Sequence, residues 1–90
     1  MAIALYFHPA SMSAQQYDET MRRLDAAGQG RPVGRLHHSC FGPEDRVMVY
    51  DVWESQQAFD EFGKTLIPIL QDLGIDPGQP DVMPVHNMIG

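Results

Sequence analysis

The sequence is poor in cysteine, in basic residues and in long apolar runs. Its single cysteine, Cys40, cannot form an internal disulfide, which favours a reducing compartment such as the cytoplasm. Twelve acidic residues against six Lys and Arg give a net charge of −6, which argues against nucleic-acid or anionic-lipid partners. No apolar run approaches the roughly 20 residues of a membrane span, and the first residues lack a secretory-signal pattern. We therefore expect a cytoplasmic protein that binds neither nucleic acid nor membrane.

The composition is that of a small globular domain. Of the 90 residues, 43% are hydrophobic and 20% are charged, which is typical of a folded chain and not of a disordered one. The length suffices for one domain, residues 1–90, and is too short for two. A chain of this size buries only about 60–65% of its unfolded surface, so a partner subunit would add to its stability.

The order of secondary structure elements predicts the fold. Apolar periodicity and turn residues predict two helices, the first capped by Ser13 with Gln16 in a capping box and the second capped by Ser55. Pro68 should kink the second helix or break it in two. Four strands are predicted, over Ala2–Phe7, Gly34–Phe41, Arg46–Trp53 and Asp81–Ile89.

This β-α-β-β-α-β order predicts an α+β, ferredoxin-like fold. Such a fold has a four-stranded antiparallel sheet of order 4-1-3-2, with both helices on one face. Pro84 in the last strand agrees with a position at the sheet edge, since proline cannot donate to a second neighbouring strand.

The second and third strands are predicted to form a hairpin around the polar loop Gly42–Asp45. In that register Phe41 lies opposite Arg46, and His38 lies opposite Val49. The side chains then divide between two faces. One face carries Leu36, His38, Cys40, Val47, Val49, Asp51 and Trp53, and the other carries Arg35, His37, Ser39, Phe41, Met48, Tyr50 and Val52. Because both faces of the central strands of the sheet, the first and the third, carry apolar side chains, we expect the helix-free face to be covered by a second copy of the chain, in a homodimer.

Several segments resemble a known family. The run Val49-Tyr50-Asp51-Val52-Trp53-Glu54-Ser55, the helix start Met12–Tyr17 and the closing Pro84–Ile89 are similar to small bacterial members of the antibiotic biosynthesis monooxygenase-like group. That group belongs to the dimeric α/β-barrel superfamily. The resemblance implies a homodimer whose sheets close into a barrel, a pocket between sheet and helices, and activities that include cofactor-independent oxidation of phenols. Fold analogy alone does not choose among the family's activities.

A candidate site follows from the face that bears His38. There His38 and Asp51 are diagonal cross-strand neighbours, and a carboxylate that orients an imidazole makes it a better general base. We therefore predict His38 as the base and Asp51 as its orienter, with Trp53, Tyr50 and His86 shaping the cavity for a planar substrate. The alternative is that His38 and Asp51 only satisfy each other's hydrogen bonds and that Trp53 is core. For His86 the alternative is a hydrogen bond at the edge strand.

No metal or cofactor is expected. His37 and His38 point to opposite faces and cannot chelate one ion together, and no zinc spacing or phosphate-binding loop is present. Cys40 is expected to be a buried, unreactive thiol. Haem-degrading relatives pair a first-strand Asn with a helical His, and this chain has neither, which argues against haem degradation.

The lead hypothesis is thus a cofactor-independent monooxygenase-like enzyme acting on a planar, hydrophobic or phenolic molecule. The alternative is a non-catalytic homodimer that binds a small ligand or has a structural role.

Overall fold

The predicted element order is confirmed by the structure, a computed structural model that describes residues 1–90. The elements are β1 (Ile3–Phe7), α1 (Ala14–Ala26), β2 (Arg35–Phe41), β3 (Met48–Trp53), α2 (Gln56–Asp72) and β4 (Asp81–Pro84). The strands form one antiparallel sheet of order β2-β3-β1-β4, the predicted order read from the other edge. Neither helix is long and apolar enough to cross a lipid bilayer.

Local signals in the sequence position both helices. The Ser13 hydroxyl accepts a hydrogen bond from the Gln16 backbone N–H, and the Gln16 side chain accepts one from the Ser13 backbone, which is the predicted capping box. The Ser55 hydroxyl caps α2 by accepting from the backbone of Ala58. At the other end of α2, Gly74 adopts φ +70° and Ile75 N–H donates to the Leu70 carbonyl, which completes a Schellman motif.

Of the two effects predicted for Pro68, the break into two helices is wrong, because α2 runs as one helix from Gln56 to Asp72, and the kink stays a prediction. Pro68 and Lys64, whose carbonyl loses its helical partner, are both exposed, so water can hydrate the freed carbonyl. A proline on the solvent-exposed side of a helix therefore lowers the stability of the fold less than a proline on the side packed against the sheet.

The hairpin register differs from the predicted one by two residues. Phe41 lies opposite Met48 instead of Arg46, and His38 lies directly opposite Asp51 instead of Val49. The connection is longer than expected because Val47 N–H donates to the carbonyl of Met12 and is taken out of the hairpin. A shift of two residues restores the same alternation, so most side chains remain on their predicted faces.

A β-bulge changes the start of β2. Arg35 pairs with Trp53 and His37 pairs with Val52, so one extra residue, Leu36, is accommodated between them. The bulge brings Arg35 to the helix-covered face, where the prediction had placed Leu36. Leu36 is instead 51% exposed.

The last strand is shorter than predicted. Pairing between β4 and β1 ends at Pro84, followed by one more backbone bond from Val85 N–H to the Ala2 carbonyl. β4 lies at the sheet edge, as Pro84 indicated. The predicted extension to Ile89 is wrong, and residues 86–90 are exposed and without regular structure.

The core lies between the sheet and the helices in two clusters. One contains Met12, Val47, Val49, Leu70 and Ile75, and the other contains Leu5, Leu24, Trp53 and Phe62. Trp53 is fully buried, with its ring centroid 5.1 Å from that of Phe62 and 5.6 Å from that of Phe59. These clusters contribute to the lining of an apolar cavity.

Candidate functional site

An apolar cavity of about 270 Å³ lies between the helices and the sheet. Of the 19 residues that line it, 11 are hydrophobic, drawn from both core clusters and both helices. The volume is just below the usual range for ligand pockets, roughly 300–1,000 Å³. Its polar lining side chains are few: Tyr17, Thr20, Arg35, His38, Asp51 and Asp60.

His38 and Asp51 meet at the wall of this cavity. Alternation along β2 and β3 places both on the helix-covered face, and the observed register places them directly opposite each other. His38 Nδ1 lies 2.5 Å from Asp51 Oδ1, with the Asp51 side chain only 6% exposed and the His38 side chain 17% exposed. The predicted contact between them is therefore present, with directly opposed rather than diagonal neighbours.

Trp53 holds the Asp51 carboxylate in place through a hydrogen bond. Its indole Nε1–H donates to Asp51 Oδ2 over 3.1 Å, so the carboxylate has a donor on each oxygen. Contrary to the prediction, Trp53 does not line the cavity, and being 0% exposed it has no free surface on which a ligand could stack. The residue orients the carboxylate and fills the core.

Tyr17, on α1, completes a chain of hydrogen bonds. Its hydroxyl lies 2.6 Å from His38 Nε2, and its ring is nearly parallel to the imidazole, at 8°. Burial raises the pKa of Tyr17 to about 12, with Cys40 and Asp51 adding to the shift and Arg35 opposing it. Tyr17 is therefore a neutral hydroxyl at physiological pH and can donate a hydrogen bond.

This arrangement defines the tautomer of neutral His38. Asp51 accepts at Nδ1, so the proton is on Nδ1 and Nε2 carries the lone pair, which accepts from the Tyr17 hydroxyl. Every buried side-chain nitrogen and oxygen of the protein has a partner. The resulting Tyr17–His38–Asp51–Trp53 chain, called the relay below, has a proton acceptor oriented at its centre.

Arg35 supplies the only Lys or Arg side chain in the lining. Its guanidinium donates to the Gly30 carbonyl over 3.2 Å, and it forms no ion pair with a carboxylate. The bulge in β2 turns Arg35 toward the helix-covered face, where its positive charge acts on Tyr17 and partly opposes the rise in the pKa of that residue.

Two further predicted site residues lie away from the cavity. Tyr50 is on the helix-free face of the sheet, 37% exposed, with its ring 5.8 Å from that of His37. His86 lies on the exposed segment after β4 and is not part of the lining, because the strand that was expected to turn it inward ends at Pro84. Neither shapes the cavity within one subunit.

Tyr17 and Arg35 are the two lining residues near His38 with a chemical role that sequence reasoning missed. The helical periodicity placed Tyr17 on the inward stripe of α1, and a buried tyrosine hydroxyl requires a hydrogen-bond partner, which is the signal that could have found it. Arg35 depends on the bulge, for which the sequence carries no clear signal.

The remaining candidate groups, His37 and Cys40, form neither a metal site nor a reactive thiol. His37 and His38 lie on opposite faces, as predicted, and no three His, Cys, Asp or Glu side chains are arranged to hold a metal ion. Burial, reinforced by the charge of Asp18, raises the pKa of the Cys40 thiol. The thiol therefore stays protonated at neutral pH and is a poor nucleophile.

Comparison with known proteins identifies the fold. The sequence matches no protein-family model and no curated protein. Among solved structures, a candidate antibiotic biosynthesis monooxygenase from Chloroflexus aurantiacus J-10-fl superimposes with a TM-score of 0.70 at 13% identity, covering 100% of this chain and 98% of that one. SnoaB, a cofactor-independent oxygenase from Streptomyces nogalater, superimposes with a TM-score of 0.63 at 14% identity, covering 98% and 94%. The chain has their fold.

A third similar structure is a candidate antibiotic biosynthesis monooxygenase from Deinococcus radiodurans, with a TM-score of 0.62, 14% identity and coverage of 100% and 97%. The predicted resemblance to antibiotic biosynthesis monooxygenase-like proteins is thus confirmed at the level of the fold. Identities of this size carry no residue roles from one protein to another.

Proposed function

We propose that the protein is a small-molecule enzyme in which His38 removes a proton from a phenol or enol, in the manner of a cofactor-independent monooxygenase. The observation that carries the proposal is the His38–Asp51 pair, 2.5 Å apart, at the wall of an apolar cavity. Asp51 holds the imidazole in the tautomer whose Nε2 lone pair faces away from the sheet, as a general base requires.

The cavity suits the chemistry that would follow. Deprotonation makes a phenol or enol electron-rich enough to donate an electron to dioxygen, the oxidant. The two radicals join at a substrate carbon that bears hydrogen and form a hydroperoxide. Loss of that C–H proton with cleavage of the O–O bond gives a carbonyl (a quinone from a phenol) and water, so the substrate supplies all four electrons and both hydrogen atoms of the water. Arg35 offers a positive charge for the oxyanion, and the mostly apolar lining limits water around it. The reaction requires no cofactor, and SnoaB, a cofactor-independent oxygenase, supports the proposal by sharing the fold.

The volume restricts the substrate. A cavity of about 270 Å³ favours a compact planar molecule over a large polycyclic one. We therefore propose monocyclic and bicyclic phenols as the substrate class.

Oxygen uptake with a panel of polyphenols, including dihydroxynaphthalenes, tests the proposal. We expect turnover in the wild-type protein, a loss of about 10²–10⁴-fold in His38→Ala, and a smaller loss in Asp51→Asn. The matched control is His37→Ala, which removes the neighbouring imidazole from the opposite face. No turnover of any phenol, or full turnover in His38→Ala, would refute the catalytic role.

One observation favours a second candidate, a non-catalytic ligand-binding protein. The relay is fully satisfied without a ligand, since the Tyr17 hydroxyl already occupies His38 Nε2. This candidate predicts that phenols bind without oxygen uptake, and that His38→Ala weakens binding without changing any reaction.

We further propose that the protein is a cytoplasmic homodimer joined through the helix-free face of the sheet. That face exposes an aromatic group in which Tyr6 stacks with Phe41 at 6.3 Å, beside Met48 and the 37% exposed Tyr50. A single subunit leaves these apolar side chains facing water, as an interface would. Sedimentation equilibrium should report a dimer that Tyr50→Glu dissociates and the control Lys64→Glu, on α2, does not. A wild-type monomer would refute it.

A further inference from the structure

Tyr17 occupies the position at which a substrate would meet the base. Its hydroxyl bonds to His38 Nε2, and its side chain lines the cavity. The lone pair proposed to remove the substrate's proton is therefore already engaged. A substrate hydroxyl entering the cavity either displaces Tyr17 or forms its hydrogen bond with Tyr17.

Two observations argue against displacement. Tyr17 lies within a capped helix and packs against the core cluster that includes Met12, so its ring is held on the inner side of α1. The Tyr17 hydroxyl is also within proton-transfer distance of the imidazole, with 2.6 Å between Oη and Nε2 and ring planes within 8° of parallel. The Tyr17 oxygen retains lone pairs for a second partner, since one hydroxyl offers two acceptor sites.

Resting on the proposed proton abstraction, we infer that Tyr17 is the catalytic residue that contacts the substrate hydroxyl and passes its proton to His38. The substrate O–H proton moves to Tyr17 Oη while the original Tyr17 proton moves to His38 Nε2. The products are a substrate oxyanion that accepts a hydrogen bond from Tyr17, and an imidazolium that donates to Asp51. One proton leaves the substrate and one arrives on His38, so Tyr17 is neutral before and after.

The high pKa of Tyr17, about 12, agrees with this role. A phenol that resists ionisation does not accumulate as a phenolate, so it transfers protons in a concerted step and does not store the negative charge. A purely structural tether between α1 and the sheet would give the same hydrogen bond, but it would have no effect on the ionisation of a bound phenol.

Binding of 4-nitrophenol tests the inference without requiring turnover. This phenol is acidic enough for a histidine to deprotonate, and only its phenolate absorbs visible light. The ionised fraction of the bound probe is measured by absorbance, in buffer below the pKa of the free phenol. Wild-type protein should increase that fraction. Tyr17→Phe should lower the ratio of ionised to neutral bound phenol by at least about tenfold, because it removes a hydrogen bond to an anion.

His38→Gln should lower the same ratio, and His37→Ala should leave it unchanged. Urea unfolding of each variant shows whether the fold is retained. If Tyr17→Phe does not fold, a fluorinated tyrosine at position 17 keeps the hydroxyl and makes it more acidic, and the inference then predicts a larger ionised fraction.

The outcomes separate the two proposals. If His38→Gln lowers the ratio and Tyr17→Phe leaves it unchanged or raises it, the substrate contacts His38 directly, which overturns the inference and leaves the proposed base in place. If the wild-type protein does not bind 4-nitrophenol, or binds it without increasing its ionisation, both proposals are overturned.

Discussion

Removing the Asp51 carboxylate should destabilise the fold by an amount that follows from its partners. Asp51→Ala leaves the indole N–H of Trp53 and the Nδ1–H of His38 without acceptors. Water cannot easily replace them, since Trp53 is 0% and Asp51 4% exposed. An orphaned buried donor costs roughly 1–3 kcal/mol, so the two together cost about 2–6 kcal/mol. The free energy of unfolding of a small domain is about 5–15 kcal/mol in total, so this variant should be close to unfolding.

Asp51→Asn tests the hydrogen bonds alone, because the asparagine side chain has nearly the same volume as that of aspartate. Its amide oxygen still accepts from one donor, but its NH₂ group faces the other, so the expected cost is about 1–3 kcal/mol. The matched control is Asp60→Asn. Asp60 is exposed at the cavity rim and bonds only to Gln56 on its own helix, so its replacement should change stability by less than about 0.5 kcal/mol.

Urea unfolding followed by the fluorescence of Trp53, the only tryptophan, measures all three variants. The midpoints are comparable if the slopes agree with the wild-type slope. The reasoning is refuted if Asp51→Ala loses less than about 1 kcal/mol, which is the lower limit for one orphaned donor, or if Asp51→Asn behaves like Asp60→Asn.

Two further predictions concern the glycines and Tyr17. Gly63→Ala should raise the free energy of unfolding by about 0.5–1 kcal/mol, measured in urea, because a Cβ there meets no atom within 4 Å. Gly34→Ala should lower it, because the residue has φ +92° and its Cβ would lie 2.7 Å from that of Ala58. A more stable Gly34→Ala than Gly63→Ala would contradict the packing. The folded-state pKa of Tyr17 is raised from 10.0 to about 12, so the stability it contributes is complete below pH 10.0 and is lost as the pH rises through about 12. Spectrophotometric titration should show a late phenolate step that is missing in Tyr17→Phe; an unchanged titration in that variant would assign the step elsewhere.

The alternation of side chains explains why part of the site was predictable. The observed register differs from the predicted one by two residues, and a shift of two residues keeps His38 and Asp51 on the same face. The error in the predicted length of the hairpin loop therefore did not separate them. Ser13 and Ser55 were predictable as caps because a cap depends on residues within one turn of it.

The remaining features depend on contacts that local sequence does not encode. Arg35 reaches the cavity through a bulge, and the contact between Tyr17 and His38 depends on how α1 packs on the sheet. His86 was misplaced because strand length depends on the partner strand, and Trp53 because its indole points at Asp51 and away from the cavity.

Because the cavity lies between two parts of the core, a bound ligand should increase the stability of the fold, and unfolding experiments can therefore detect ligands. The lining of the cavity includes Met12 and Leu70 from one cluster and Leu24 and Phe62 from the other, so a bound molecule would contact both clusters at once. A ligand at 100 times its dissociation constant adds about 2.7 kcal/mol, and in a domain of this size each kcal/mol raises the melting temperature by about 4–8 °C. A thermal-shift screen of small phenols would therefore find compounds that fit the cavity before any reaction is known.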